Sequence, residues 1–209
     1  MNIQEIVKVF ENKKSKPFDI ENYFSVLVPI IQVKGELHLL FQVRSNRIRR
    51  QPGEISFPGG KIERDETPKE ACIRETYEEM GICEEQIEII GQLDHLLNHT
   101  NDMIYPFVGI LDKVCVENID FSKDEVEEIF TVPLQYFMDH KPEVYDMSYK
   151  VAEDNSFPFH KIKNGPVYQN RIMTYPVYFY EYEKYIIWGL TAKITRNFIR
   201  ELIKSNSLK

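Results

Sequence analysis

Glu75, Glu78 and Glu79 fall within five residues of one another in the stretch GKIERDETPKEACIRETYEEMGI, residues 60–82. On a helix these three carboxylates share an arc of roughly 100°. Like charges so spaced cost a few tenths of a kcal/mol per pair, and Glu79 also sits near the helix C-terminus, where the macrodipole opposes negative charge. Arg74 is one cation against three anions. Such a face either stays solvated or holds a cation. Carboxylate oxygens are hard ligands suited to Mg²⁺ or Mn²⁺, and an ion held there can bridge phosphate oxygens and acidify a bound water. Pro58-Gly59-Gly60, just upstream, permits close backbone approach, so a carbonyl of that turn can complete the ion's shell.

The helix that must carry these side chains is well signalled. Thr67 can cap its N-terminus, Pro68 suits the first helical position, and Glu70 stands where a capping box places an acid. Gly81 supplies a left-handed stop. Ile73, Tyr77 and Met80 cluster on the other side and are expected to face the core.

With its spacing laid out, the segment resembles the box of the Nudix hydrolase family, with Gly60, Glu66, Arg74, Glu75, Glu78, Glu79, Gly81 and Ile82 in the matching places and Thr76 at a usually apolar one. The resemblance implies an αβα sandwich with a mixed β-sheet, of α/β class. It implies a pyrophosphatase in which Glu78 and Glu79 bind a divalent ion, Mg²⁺ or Mn²⁺, while Glu75 is a ligand or the base that activates water. Arg74 would orient the glutamates and Glu66 would support the loop.

The preceding loop narrows the substrate. Leu39-Leu40 leads into RSNRIRRQPGEISFPGG, residues 44–60. This is similar to a second motif carried by the coenzyme A pyrophosphatase branch: Arg44, Ser45, Arg49, Gly53 and Phe57 to Gly60 match, while Phe41-Gln42-Val43 replaces a spacer that usually holds a threonine. Arginines suit a diphosphate and a 3′-phosphate through paired hydrogen bonds. The implied substrate-binding set is Arg44, Ser45, Arg49, Gly59 and Gly60. Ile187 to Ala192 also resembles a segment of that branch, and reads equally well as a core tryptophan before a helix. ADP-ribose, NADH or a nucleoside triphosphate is the alternative substrate, and a non-catalytic nucleotide-binding protein the reading from another class. Glu125, Glu127 and Glu128 form a further acidic cluster, on a loop by this reading, with nothing to say which of them faces a site. The histidines show no paired-ligand spacing and read as ordinary polar residues.

The rest of the chain sets bounds. It has 209 residues, a net charge of −7 and a hydrophobic fraction of 43%. An acidic chain does not attract polyanions over its whole surface, so no nucleic-acid or membrane partner is expected. Three widely spaced cysteines, Cys72, Cys83 and Cys115, read as reduced thiols. No apolar run approaches the roughly 20 residues of a membrane span. The start does not read as a secretory signal, and the last three residues are not in the peroxisomal Ser-Lys-Leu order; the expectation is cytoplasmic. A homodimer fits the family analogy, though no stretch marks an interface.

Ile3, Ile6, Val7 and Phe10 predict a short amphipathic helix, so residues 1–20 read as helix and linker and residues 21–209 as a single domain. Strands are expected over 23–33 and 36–43, joined by a Lys34-Gly35 hairpin, and over 86–93, 103–111 and 173–181. Helices are expected over 68–80, 132–138 and about 191–204, the last burying Ile194, Phe198 and Leu202. Residues 141–169 read as strand and loop.

Overall fold

The computed structural model describes residues 1–150, 157–169 and 171–206. Alternating and continuous apolar runs build the central sheet. β1 (Asn22–Val33) and β2 (Glu36–Arg44) form the expected hairpin, with Lys34 (φ 51) and Gly35 (φ 90) both left-handed, the geometry a two-residue turn needs to match strand twist. β3 (Ile55–Ser56) adds to β2, and β4 (Gly59–Lys61) pairs with β1. α2 (Pro68–Met80) follows, then β5 (Ile87–Gln92), β6 (Leu96–Leu97) and β7 (Asp102–Leu111). β1 runs parallel to β7 and antiparallel to β2, so the sheet is mixed, in the order β3-β2-β1-β7-β5.

β8 (Val126–Pro133) completes this sheet beside β2, where a loop and then a helix from residue 132 were expected. The helix, α3, spans only Leu134–Asp139. The register shifts between Val43 and Arg44, which face Glu128 and Val126. Glu127 is therefore the extra residue of a bulge. A bulge breaks the period-two alternation by which a strand is read from sequence, and that hid β8.

β9 (Glu143–Lys150), β10 (Ile172–Tyr182) and β11 (Tyr185–Trp188) make a second, antiparallel sheet. α4 (Gly165–Gln169) lies between β9 and β10, and α5 (Gly189–Asn206) ends the described chain. The first helix, α1 (Ile3–Phe10), forms with an Asn2–Glu5 capping box but buries none of its residues.

Two clusters lie on opposite faces of the central sheet. Leu27, Ile31 and Leu40 pack with Cys72 and Met80 of α2. Val28, Leu39 and Phe41 pack with Phe137 of α3, Tyr180 and Ile187 of the second sheet, and Ile194 and Phe198 of α5. Helix, mixed sheet and helix thus form the expected αβα sandwich, and Leu202 joins Ile194 and Phe198 against the core. Among the described residues no helix is long and apolar enough to cross a membrane. The terminal Ser207-Leu208-Lys209 lies outside the described residues.

Candidate active site

α2 starts and stops where its caps demand. Thr67 accepts from the Glu70 amide while the Glu70 carboxylate accepts from the Thr67 amide, and Gly81 closes the helix in the left-handed region (φ 66). Its buried residues are Ala71, Cys72, Thr76, Glu79 and Met80. Of the expected core face, Met80 is fully buried and Ile73 packs half-buried against the core, but Tyr77 is 56% exposed, because the helix is rotated to press Cys72 and Thr76 into the sheet. Thr76 is tolerated there because its hydroxyl donates to the Cys72 carbonyl at 2.7 Å, which satisfies a buried donor locally.

The same rotation drives Glu79 under the sheet edge. Its Oε2 accepts from the Gly59 amide at 2.8 Å and from Gln42 Nε2 at 2.9 Å, and Arg44 Nη1 stands 3.9 Å from its Oε1. The residue is 3% exposed. Burial pushes its carboxyl up to about 7, against the opposing pull of the Gly59 and Gln42 hydrogen bonds and of Arg44. A carboxylate so placed calls for positive charge beside it. Gln42 Oε1 is buried without a hydrogen-bond partner among the described residues.

Arg74 organises the other acids. It grips Glu66 through Nε and Nη2, at 3.1 and 2.7 Å, and reaches Glu75 and Glu78 through Nη1, at 2.9 and 3.0 Å. Nη2 also donates to the Lys61 carbonyl at 3.1 Å. The Arg74 hydrogen bond holds Glu66 below the usual carboxylate range, and Glu66 also accepts from the Glu63 amide at 2.6 Å. Arg74 thus ties Glu66, Glu75 and Glu78 to the Lys61 carbonyl, and Glu66 ties α2 to the Glu63 amide. Glu75 is raised, chiefly by burial, with Glu78 and Glu125 adding like charge. Glu78 is the most exposed of the three, at 49% of its side chain.

The glycines fit around these acids. A Cβ on Gly60 would lie 2.3 Å from the Glu75 carboxyl carbon. One on Gly59 (φ 147) would lie 2.3 Å from the Ser25 carbonyl oxygen, inside the β1–β4 pairing. Only glycines admit both the strand and the carboxylate here. Among the described residues no three acidic, imidazole or thiol groups stand close enough to cage an ion as they lie, since Glu75 and Glu78 turn to Arg74 and Glu79 to Gln42 and Gly59.

The loop of residues 44–53 is closed at its neck by two 2.9 Å bonds, from the Arg44 amide to the Glu54 carbonyl and from the Gly53 amide to the Arg44 carbonyl. Arg44 is the loop arginine that reaches the glutamates. Ser45 is fully buried: its amide donates to the Glu125 carbonyl at 2.8 Å and its hydroxyl accepts from the Arg47 amide at 3.3 Å, so it shapes the loop. Arg49 is exposed, and Arg47 pairs with Asp124 at 3.1 Å.

Of the acidic trio on β8 and its approach, Glu125 is the one that acts on Glu75. Glu128 is taken by Lys184 (2.8 Å) and Tyr185 (2.6 Å), and Glu127 occupies the bulge.

The profile of the NUDIX domain matches residues 22–152, more than half of the chain. The chain belongs to the Nudix family. It is 38% identical over 142 residues to a mouse (Mus musculus) protein named peroxisomal coenzyme A diphosphatase NUDT7, a match covering 66% of this chain and 58% of that one. A Caenorhabditis elegans protein named Nudix hydrolase 3 is 38% identical over 118 residues, 56% of this chain and 49% of its own. The chain thus spans about half the length of these two relatives. A Yersinia enterocolitica protein named an uncharacterized Nudix hydrolase, NudL, is 28% identical over 206 residues, 96% of this chain and 93% of that one.

Two residues of this Nudix chain escaped the sequence reading. Gln42 passed as a spacer departure, yet an amide inside the apolar run LLFQV is itself a signal, because a buried amide in a strand needs a partner. Ser25, also fully buried, donates to the Pro68 carbonyl at 2.6 Å and ties β1 to the start of α2. Trp188, read as a core tryptophan, is 37% exposed, and Ile187 beside it is fully buried. The segment's threonine serves the fold: Thr191 donates to the Ile55 carbonyl at 2.9 Å and pins α5 to β3.

Proposed function

We propose that this Nudix chain hydrolyses the diphosphate linkage of coenzyme A or its thioesters, giving 4′-phosphopantetheine or its acyl form and 3′,5′-ADP. The observation that carries the reading is the juxtaposition of Arg44, from the loop that resembles the coenzyme A motif, with Glu79 at the Gly59-Gly60 turn. The name of the mouse relative points the same way.

Nudix enzymes generally use divalent metals, and the residues here fit one. The donors are hard oxygens, Gly60 leaves the Glu75 carboxyl room that any Cβ would take, and the buried Glu79 has Arg44 at 3.9 Å as its partial countercharge. Glu75, Glu78 and Glu79 would hold Mg²⁺ or Mn²⁺, which when bound neutralises diphosphate charge and acidifies a water. The chain's own residues supply the rest. Arg44 grips a phosphate, the Gly59 amide and Gln42 hold Glu79, and Arg74 aims Glu75 and Glu78. Where Glu75 serves as the base rather than as a ligand, it would take a proton from the attacking water as oxygen adds to phosphorus and the bridging P–O bond breaks. Attack at either phosphorus yields the same two products.

Residues 21–209 act as one domain in this reading, and three free thiols suit a reducing compartment such as the cytoplasm. The test is a substrate panel with added Mg²⁺ or Mn²⁺, read by product mass. Coenzyme A should be split ahead of ADP-ribose, NADH and dinucleoside polyphosphates. A preference of about a hundredfold or more for one of those, near 3 kcal/mol, removes the coenzyme A reading and leaves the family. Tight binding with no cleavage of any of them removes catalysis.

A further inference from the structure

A groove of about 630 Å³ opens on the far side of β2 from the glutamates. Its floor begins at Val43 and Ile55, and its wall is the β10–β11 hairpin, with Phe179, Tyr185, Ile186 and Trp188. The loop after β2 borders both, the groove through Pro52, Gly53 and Glu54 and the glutamates through Arg44. Arg44 and Val43 are neighbours on β2 and point to opposite faces, and the Arg44 amide bonds to the carbonyl of Glu54, a lining residue.

The aromatic wall is fixed in place. Tyr185 stacks on Phe130 at 3.5 Å, Trp188 stacks on Phe179 at 5.8 Å, and Tyr185 and Lys184 both bond to Glu128. Ile186 and Trp188 nevertheless remain 52% and 37% exposed. The size is that of a small-molecule site, and apolar walls with a few convergent polar groups are the usual composition of one.

Charge decides which end of the substrate fits. The groove carries two carboxylates, Glu54 and Glu128, against one ammonium, Lys184. A 3′-phosphorylated nucleoside would bring further negative charge into it, whereas the loop arginines lie outside. An uncharged chain of methyl and methylene groups interrupted by amides meets both kinds of wall: the aromatics cover its carbon, and Lys184, Tyr185 and Glu128 can bond its amides.

We infer that this groove binds the pantetheine arm of the substrate, with the thiol or thioester end leaving past the exposed Ile186 and Trp188, so that acylated coenzyme A is accepted along with the free form. The inference rests on the coenzyme A reading above. It predicts that the two products inhibit independently.

The test compares wild type with Trp188→Ala and Ile186→Asp, using 4′-phosphopantetheine and 3′,5′-ADP separately as inhibitors of coenzyme A hydrolysis. Ile186 is half exposed, so its variant keeps the fold if Trp188→Ala does not, and thermal melts report on both. Inhibition by 4′-phosphopantetheine should weaken about tenfold or more, the scale of one lost apolar contact wall, while inhibition by 3′,5′-ADP stays within about twofold. If the variants weaken 3′,5′-ADP instead, or neither product, the groove assignment is overturned and coenzyme A hydrolysis stands. Wild type that cleaves another diphosphate but not coenzyme A overturns the functional reading, and the groove assignment with it.

Discussion

Glu79 concentrates the conflict at this site in one side chain. It lies buried against Gln42 and Gly59, with Arg44 at 3.9 Å as its cation. Its folded carboxyl titrates near 7, raised by burial from 4.5. Below pH 4.5 both folded and unfolded chains are protonated and nothing is lost. As pH rises from there through 7, the unfolded chain ionises first, and folding loses about 3 kcal/mol at roughly 1.4 kcal/mol per unit. In chelator, the melting temperature of wild type relative to Glu79→Gln should therefore fall between pH 5 and pH 8, and excess Mg²⁺ should reverse the fall. A difference that stays flat with pH would mean the carboxylate is already compensated by the protein. Glu79→Gln should also cut turnover by about a hundredfold or more, the scale of removing one electrostatic group from a transition state. The Glu75-Glu78-Glu79 constellation was legible from spacing, because helical period alone places those residues on neighbouring positions. The burial of one and the exposure of another was not, since that depends on what the sheet lays over the helix.

At the scale of elements, the turn into α2 separates two kinds of glycine. A Cβ at Gly60 meets only the far end of the Glu75 side chain, whereas one at Gly59 meets the backbone of Ser25 and Val26 at a φ of 147. Gly60→Ala should leave the melting temperature nearly unchanged yet lower turnover at least tenfold by displacing Glu75, an effect of the size that misplacement by about 1 Å produces. Gly59→Ala should instead destabilise by about 3 kcal/mol or more, a strained backbone with a buried clash. Urea melts beside activity assays separate the two. α2 itself was readable residue by residue because its caps are local hydrogen bonds written within a few positions. β8 was not, because its bulge exists only where β2 holds Arg44 and Val43 to a different count.

For the whole molecule, the N-terminal segment stands apart from the rest. α1 buries no residue, and Phe10 and Phe18 are 62% and 85% exposed, whereas β10, β11 and α5 all feed the core that β1 and β2 begin. A chain starting at residue 21 should melt within about 2 °C of the full chain and keep its activity; a larger drop would place residues 1–20 inside the domain. Local sequence alone determined the capped helix, its row of acids, the arginine loop and the β1–β2 hairpin, since capping, helical period and turn geometry act over a few residues. Tertiary structure alone decided that α2 turns Thr76 and Glu79 inward and Tyr77 outward, that Gln42 and Ser25 become partners of the site, that Ser45 is sealed in the loop, and that a hairpin more than a hundred residues downstream walls a groove beside Arg44. Those outcomes follow from which surfaces meet when the sheet closes over its helices, and burial is a property of the meeting surfaces rather than of any one segment.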